Sequence, residues 1–154
     1  MRSLAERFPI GKQFTSQSRT IGEGDFTLLT NITWTTGEIH TNQERMKKTP
    51  FGDRVLAGPC VLALVIGLAH RGPLGRVIYE DGVDVVALLG YDEVRFTNGL
   101  KPGDTITVHT QLAEARPSGK VPNRAILRLK EWATNQHGDV LLENRRSLLL
   151  EITE

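Results

Sequence analysis

One cysteine among 154 residues leaves Cys60 without an internal disulfide partner, so the chain is not stapled as small secreted domains are, and a reducing cytoplasm is the expected setting. Excess charge of either sign is also missing. Nineteen basic and eighteen acidic residues give a net charge of +1, without the basic surplus that follows nucleic-acid binding, so no nucleic-acid partner is expected. The longest apolar run, Pro59 to Ala69, is far short of the ~20 residues that span a bilayer. The opening Met-Arg-Ser-Leu-Ala-Glu-Arg-Phe-Pro lacks a signal peptide's apolar core, so no membrane role is expected. There is no Cys/His cluster with metal spacing, no glycine-rich phosphate loop and no Gly-x-Ser-x-Gly elbow.

What is present fits one domain, 1–154, with residues 1–14 expected to form an amino-terminal extension. Thr20 and Glu23 have capping-box spacing, and Asp25, Leu28, Leu29 and Ile32 follow the helical period, predicting a helix from about Ile21 to Thr33. A second helix starts at Pro59 and stops at Gly72-Pro73, with His70 and Arg71 complementing its dipole. Val61, Leu62, Leu64, Val65, Ile66 and Leu68 cover every face of that helix, which predicts that protein surrounds it.

The second half alternates with a period of two. Ile106, Val108 and Leu112 read as one strand, Ala125, Leu127 and Leu129 as another, and Leu148, Leu150 and Ile152 as a third. An earlier strand spans Val85 to Phe96, with Gly90 as a bulge. Turn residues at Lys101 to Asp104, Pro117 to Gly119 and Asn135 to Asp139 predict antiparallel pairing. The expected class is α+β, a single hot-dog domain in which a curved antiparallel sheet wraps a long apolar helix.

Four stretches carry a family resemblance: Arg19 to Phe26, Gly37 to Asn42, Phe51 to Gly58, and Val94 to Phe96 with Lys101 to Thr105. From about Thr15 to Ile152 the chain resembles the MaoC-like, or (R)-specific enoyl-CoA hydratase, family. That family's pattern Thr-Gly-Asp-x-Asn-Pro-x-His places its histidine on His40, its catalytic aspartate on Thr35, its asparagine on Gly37 and its proline on Glu38. The pattern Phe-Gly-x-x-Ile-Ala-His-Gly matches Phe51 to Gly58, with Ala57 where the family has histidine.

The resemblance implies hydration or dehydration at the 2,3 position of an acyl thioester. His40 would act as base, Thr35 would orient a water, and Glu38 would supply a carboxylate if the segment is extended. The Gly58 amide would hold the oxyanion at the helix start, with Ala57 and Gly37 as neighbouring substrate contacts. His70, His109 and His137 read as structural, and Met46, Lys47 and Lys48 as a solvated face that could also meet coenzyme A phosphates. The implied partner is an acyl-CoA or acyl-carrier thioester, with coenzyme A as part of the substrate and no separate cofactor; a homodimer or higher homo-oligomer is implied too. Alternatives are a non-catalytic acyl-thioester-binding or scaffold subunit that has lost the aspartate, and a hot-dog thioesterase.

Overall fold

A computed structural model describes residues 3–79, 82–119 and 121–153. Four long strands carry the sheet: β3 (Val83–Phe96), β4 (Thr105–Pro117), β5 (Arg124–Thr134) and β6 (Val140–Ile152). Two short ones, β1 (Gln13–Thr15) and β2 (Arg19–Thr20), pair with β4. All pairings are antiparallel, in the order β1-β4-β5-β6-β3. Alternation sets which face is inside: Ile106, Val108 and Leu112 of β4 and Leu127 and Leu129 of β5 are buried in one core with Leu148 and Leu150 of β6. Ladder irregularities around Leu88/Gly90 and Leu112/Glu114 mark bulges that curve the sheet, the first at the expected glycine.

Against the concave face lies helix α5 (Gly58–Arg71), numbered after α1 (Leu4–Arg7), α2 (Glu23–Ile32), α3 (Glu38–Thr41) and α4 (Gln43–Met46). Together they form the α+β hot-dog arrangement. The sheet of one chain covers only one side of α5, however: Cys60, Val61, Val65 and Ala69 are buried, Leu62, Leu64, Ile66 and Leu68 are half-buried, and Ala63 and Gly67 are exposed. Enclosure all round is therefore not achieved within one chain.

Gly72 ends α5 as expected, but Pro73 then opens a further helix, α6 (Pro73–Tyr79), bent 66° from α5. Proline stops the preceding turn and suits the first turn of the next. Gly75 permits the bend, because a Cβ there would lie 2.0 Å from the backbone oxygen of His70.

Two amino-terminal expectations are corrected. Phe8 and Phe14 are core residues and β1 pairs with β4, so the described part of the first fourteen residues is built into the domain. Helix α2 starts two residues later than expected because Thr20 lies in β2, where its hydroxyl bonds that of Thr105 at 2.8 Å. Asp25 performs the reciprocal cap instead, accepting from the Gly22 N–H at 3.3 Å. Among the described residues no single helix is long and apolar enough to cross a membrane.

Candidate active site

The site grows from the end of α2. Thr35 N–H donates to Thr30 O at 3.1 Å and Trp34 N–H to Asn31 O at 3.2 Å, which together form a Schellman turn. Its left-handed position is held by Trp34 at φ 58°, where glycine is favoured, although the indole is 85% exposed. Trp34→Gly should raise stability by about 0.5–1 kcal/mol by relieving this conformation. Chemical denaturation measures it; a loss of stability would show that the indole contributes packing.

That turn points Thr35 back toward α5. Thr33 Oγ1 lies 2.6 Å from Leu29 O, and since a carbonyl only accepts, the Thr33 proton is committed there. Thr35 must then be the donor in its 2.9 Å bond to Thr33 Oγ1. Its oxygen remains able to accept. Thr33 Oγ1 is also 3.5 Å from Cys60 Sγ in the first turn of α5, so the two threonines sit beside that helix's amino terminus.

His40 is anchored to the segment that leads into α5. Its Nδ1 lies 2.6 Å from Val55 O, three residues before α5 begins. The carbonyl again only accepts, so Nδ1 carries a proton, and the neutral ring keeps a lone pair on Nε2. The half-buried imidazole borders a cleft of about 190 Å³ with Phe26, Thr27, Thr30, Asn31, Thr41 and Arg54. Arg54 is fixed by two 2.8 Å bonds to the Glu23 carboxylate and lies 5.4 Å from the Phe26 ring centre. The bond to Arg54 holds the Glu23 carboxyl below its ordinary pKa.

Gly58 opens α5 with Ala57 as its cap, and its amide is one of those that helix geometry leaves without an intrahelical acceptor. A Cβ at Gly58 would come within 2.8 Å of the Phe96 ring, so glycine is what lets that ring lie over the helix start. Gly37 caps α3, and its carbonyl accepts from His40 N–H at 2.8 Å. It thereby sets the backbone under the histidine.

Glu38 takes a different place from the one an extended segment would give. Residues 38–41 are helical, so side chains two apart diverge. The Glu38 carboxylate meets Arg45 and Asn42 in an exposed cluster. Nor are Met46 to Lys48 uniformly solvated, since Met46 is buried and Lys47 bonds Glu44 at 2.7 Å. His109 bonds threonines 15 and 134 on the sheet, and His137 sits in the β5–β6 turn. The sequence pattern marks Thr33 only by its place two residues before Thr35 in the same motif.

The family model for the MaoC-like domain matches residues 7–129. A solved Archaeoglobus structure, described as a monoamine oxidase regulatory protein, is 28% identical with a TM-score of 0.79, covering 94% of this chain and 92% of that one. A MaoC-like dehydratase from Rhodospirillum rubrum shares 19% identity at a TM-score of 0.77, covering 99% of each chain. The (R)-hydratase PhaJ1 from Pseudomonas aeruginosa shares 23% at 0.69, covering 97% of this chain and 86% of that one. No curated protein matches the sequence. With about four-fifths of its length inside the matched segment, and with the helix and sheet of these structures, the chain belongs to the MaoC-like domain family.

Proposed function

We propose that the protein hydrates 2-enoyl thioesters, or dehydrates their 3-hydroxy counterparts, with His40 as its only ionisable base. The observation that carries this reading is the bond from His40 Nδ1 to Val55 O, three residues before α5, which leaves Nε2 as a proton acceptor. Thr35 supplies a second acceptor, because its own proton is spent on Thr33. A water donating one hydrogen to His40 and the other to Thr35 would present its lone pairs to carbon 3.

As the C–O bond forms, His40 takes a proton from that water, and the electron pair of the C2–C3 double bond moves toward the thioester carbonyl. The Gly58 amide, at the positive end of α5, stabilises the resulting oxyanion. The imidazolium then returns its proton to carbon 2. The sum is one water added, with no external acid or base consumed. An aspartate would pull harder on the water than Thr35 does, so a modest rate is expected.

The protein is proposed to act as a homodimer on a coenzyme A or acyl-carrier thioester in the cytoplasm. Strand β3 is the sheet's outermost strand and exposes Val86, Leu88 and Leu89, and a second copy paired along it would extend the sheet. Light scattering should give twice the chain mass.

The deciding assay presents a panel of enoyl-CoA and 3-hydroxyacyl-CoA thioesters, following absorbance of the conjugated thioester together with free thiol. Loss of absorbance without thiol release is the expected result. Thiol release would make the protein a thioesterase. Acyl-CoA binding without turnover would leave a binding subunit, for which Thr35 at the aspartate position is the evidence.

A further inference from the structure

The core contains a polar island beneath α5. Arg146 and Glu131, 1% and 0% exposed, meet at 2.5 Å through Nη2 and Oε1, and Arg146 Nη1 lies 3.0 Å from His70 Nε2. Arg146 only donates, so His70 Nε2 accepts, and burial beside that cation holds the His70 pKa below its ordinary value. Asn144, 2% exposed, lies beside Glu131 across the β5–β6 ladder.

The island is incompletely satisfied. Asn144 interacts with Glu131 and Tyr91 with Arg146, yet both polar atoms of the Asn144 side chain, Glu131 Oε2, Arg146 Nε and the Tyr91 hydroxyl are buried without a hydrogen bond of good geometry among the described residues. A buried polar group left in that condition is destabilising, so an island with several is expected to have a function or an occupant. Donors and acceptors are both present. An ammonium would leave the donors unmet, and a carboxylate would leave the acceptors unmet and set its charge against Glu131. A hydroxyl donates and accepts, and meets both.

Its position connects it with the proposed reaction. The ridge Gly58, Leu62, Ile66 and His70 runs along α5 at four-residue spacing, with Gly58 against Phe96 at one end and His70 against Arg146 at the other. Phe96 pairs with Leu142, and Leu142, Asn144 and Arg146 occupy alternate positions on the helix-facing side of β6. Asn144 therefore lies two strand residues, about 7 Å, beyond the level of the Gly58 amide, a span that about five to seven carbons of an extended chain would cover. A thioester whose carbonyl sits on Gly58 and whose chain follows this ridge brings its middle carbons to Asn144.

We infer that Asn144, with Glu131 and Arg146, forms a subsite for a hydroxyl on the acyl chain, so that the substrate is an oxygenated acyl thioester. This rests on the thioester reading of the Gly58 end. The test compares the protein's kcat/KM for 2-enoyl-CoA thioesters bearing a hydroxyl at carbons 5 to 8 with that for plain chains of equal length, and measures calorimetric binding of the saturated forms.

A site built to bond a hydroxyl rejects its deoxy analogue strongly, so a preference of about 100-fold is expected at one hydroxyl position. In Asn144→Leu that preference should fall below about 3-fold as the apolar chain gains. Should Asn144→Leu not fold, Asn144→Ala, which removes the amide without adding bulk or charge, should lower the preference at least about 10-fold.

Equal turnover of plain and hydroxylated chains, with Asn144→Leu unchanged in selectivity, would overturn the subsite while leaving the hydratase intact; the island would then hold water. Tighter binding of the hydroxylated chain without turnover of any substrate would uphold the subsite and remove the hydratase. Binding of no acyl-CoA would remove both.

Discussion

Arg146→Met is expected to destabilise the fold by about 3–5 kcal/mol, because it leaves the buried Glu131 carboxylate without its cation. The double variant Glu131→Leu/Arg146→Met should lie near the wild-type value or above it, since replacing a whole buried pair with apolar groups removes the desolvation cost along with the attraction. The deficit of the single variant should also depend on pH. Burial raises the Glu131 pKa above its ordinary value even with Arg146 opposing it, and losing Arg146 raises it further.

A carboxyl with a raised native pKa binds more protons folded than unfolded, so lowering the pH favours the native state and the deficit shrinks as Glu131 takes up its proton. Urea unfolding of wild type, single and double variants at neutral pH and near pH 5 measures this. A double variant as unstable as the single one would show that the pair contributes net stability, against the reasoning above.

His40→Asn should reduce kcat/KM by about 100- to 10,000-fold, the usual contribution of a positioned general base. Asparagine is chosen because its amide nitrogen can replace Nδ1 as donor to Val55 O while nothing replaces Nε2. An unchanged melting temperature with lost activity would then assign the loss to the base and not to the anchor. Wild-type rates would mean that another group takes the proton. Thr35→Asp should act in the opposite direction, raising kcat by restoring a charged acceptor. The Schellman turn that aims residue 35 is made by backbone groups and survives the change. If Thr35→Asp leaves kcat flat while His40→Asn abolishes it, the water is held by His40 alone.

How much of this was legible beforehand depended on the range of the interactions. The period-two runs of β4 and β5 and the stop at Gly72-Pro73 are local properties of the chain, and they appear at the expected places. His40 stands out in the sequence because a motif carries it. Its tautomer does not, since the 2.6 Å contact joins residues fifteen positions apart and depends on how Val55 is presented. The role of Glu38 turned on whether residues 38–41 are helical or extended, a choice that four residues of weak preference do not make for themselves.

Sequence alone determined the class of the fold and the position of the apolar helix, because composition and periodicity are written along the chain. Tertiary structure decided what Thr35 and His40 can do, since hydrogen-bond direction follows from which carbonyl lies opposite. It also decided that α5 is covered on one side only and that Glu131, Asn144 and Arg146 lie beneath it. In the sequence Arg146 is one charged residue in the polar run Glu143 to Ser147, midway along β6, and only strand register turns it inward beside Glu131.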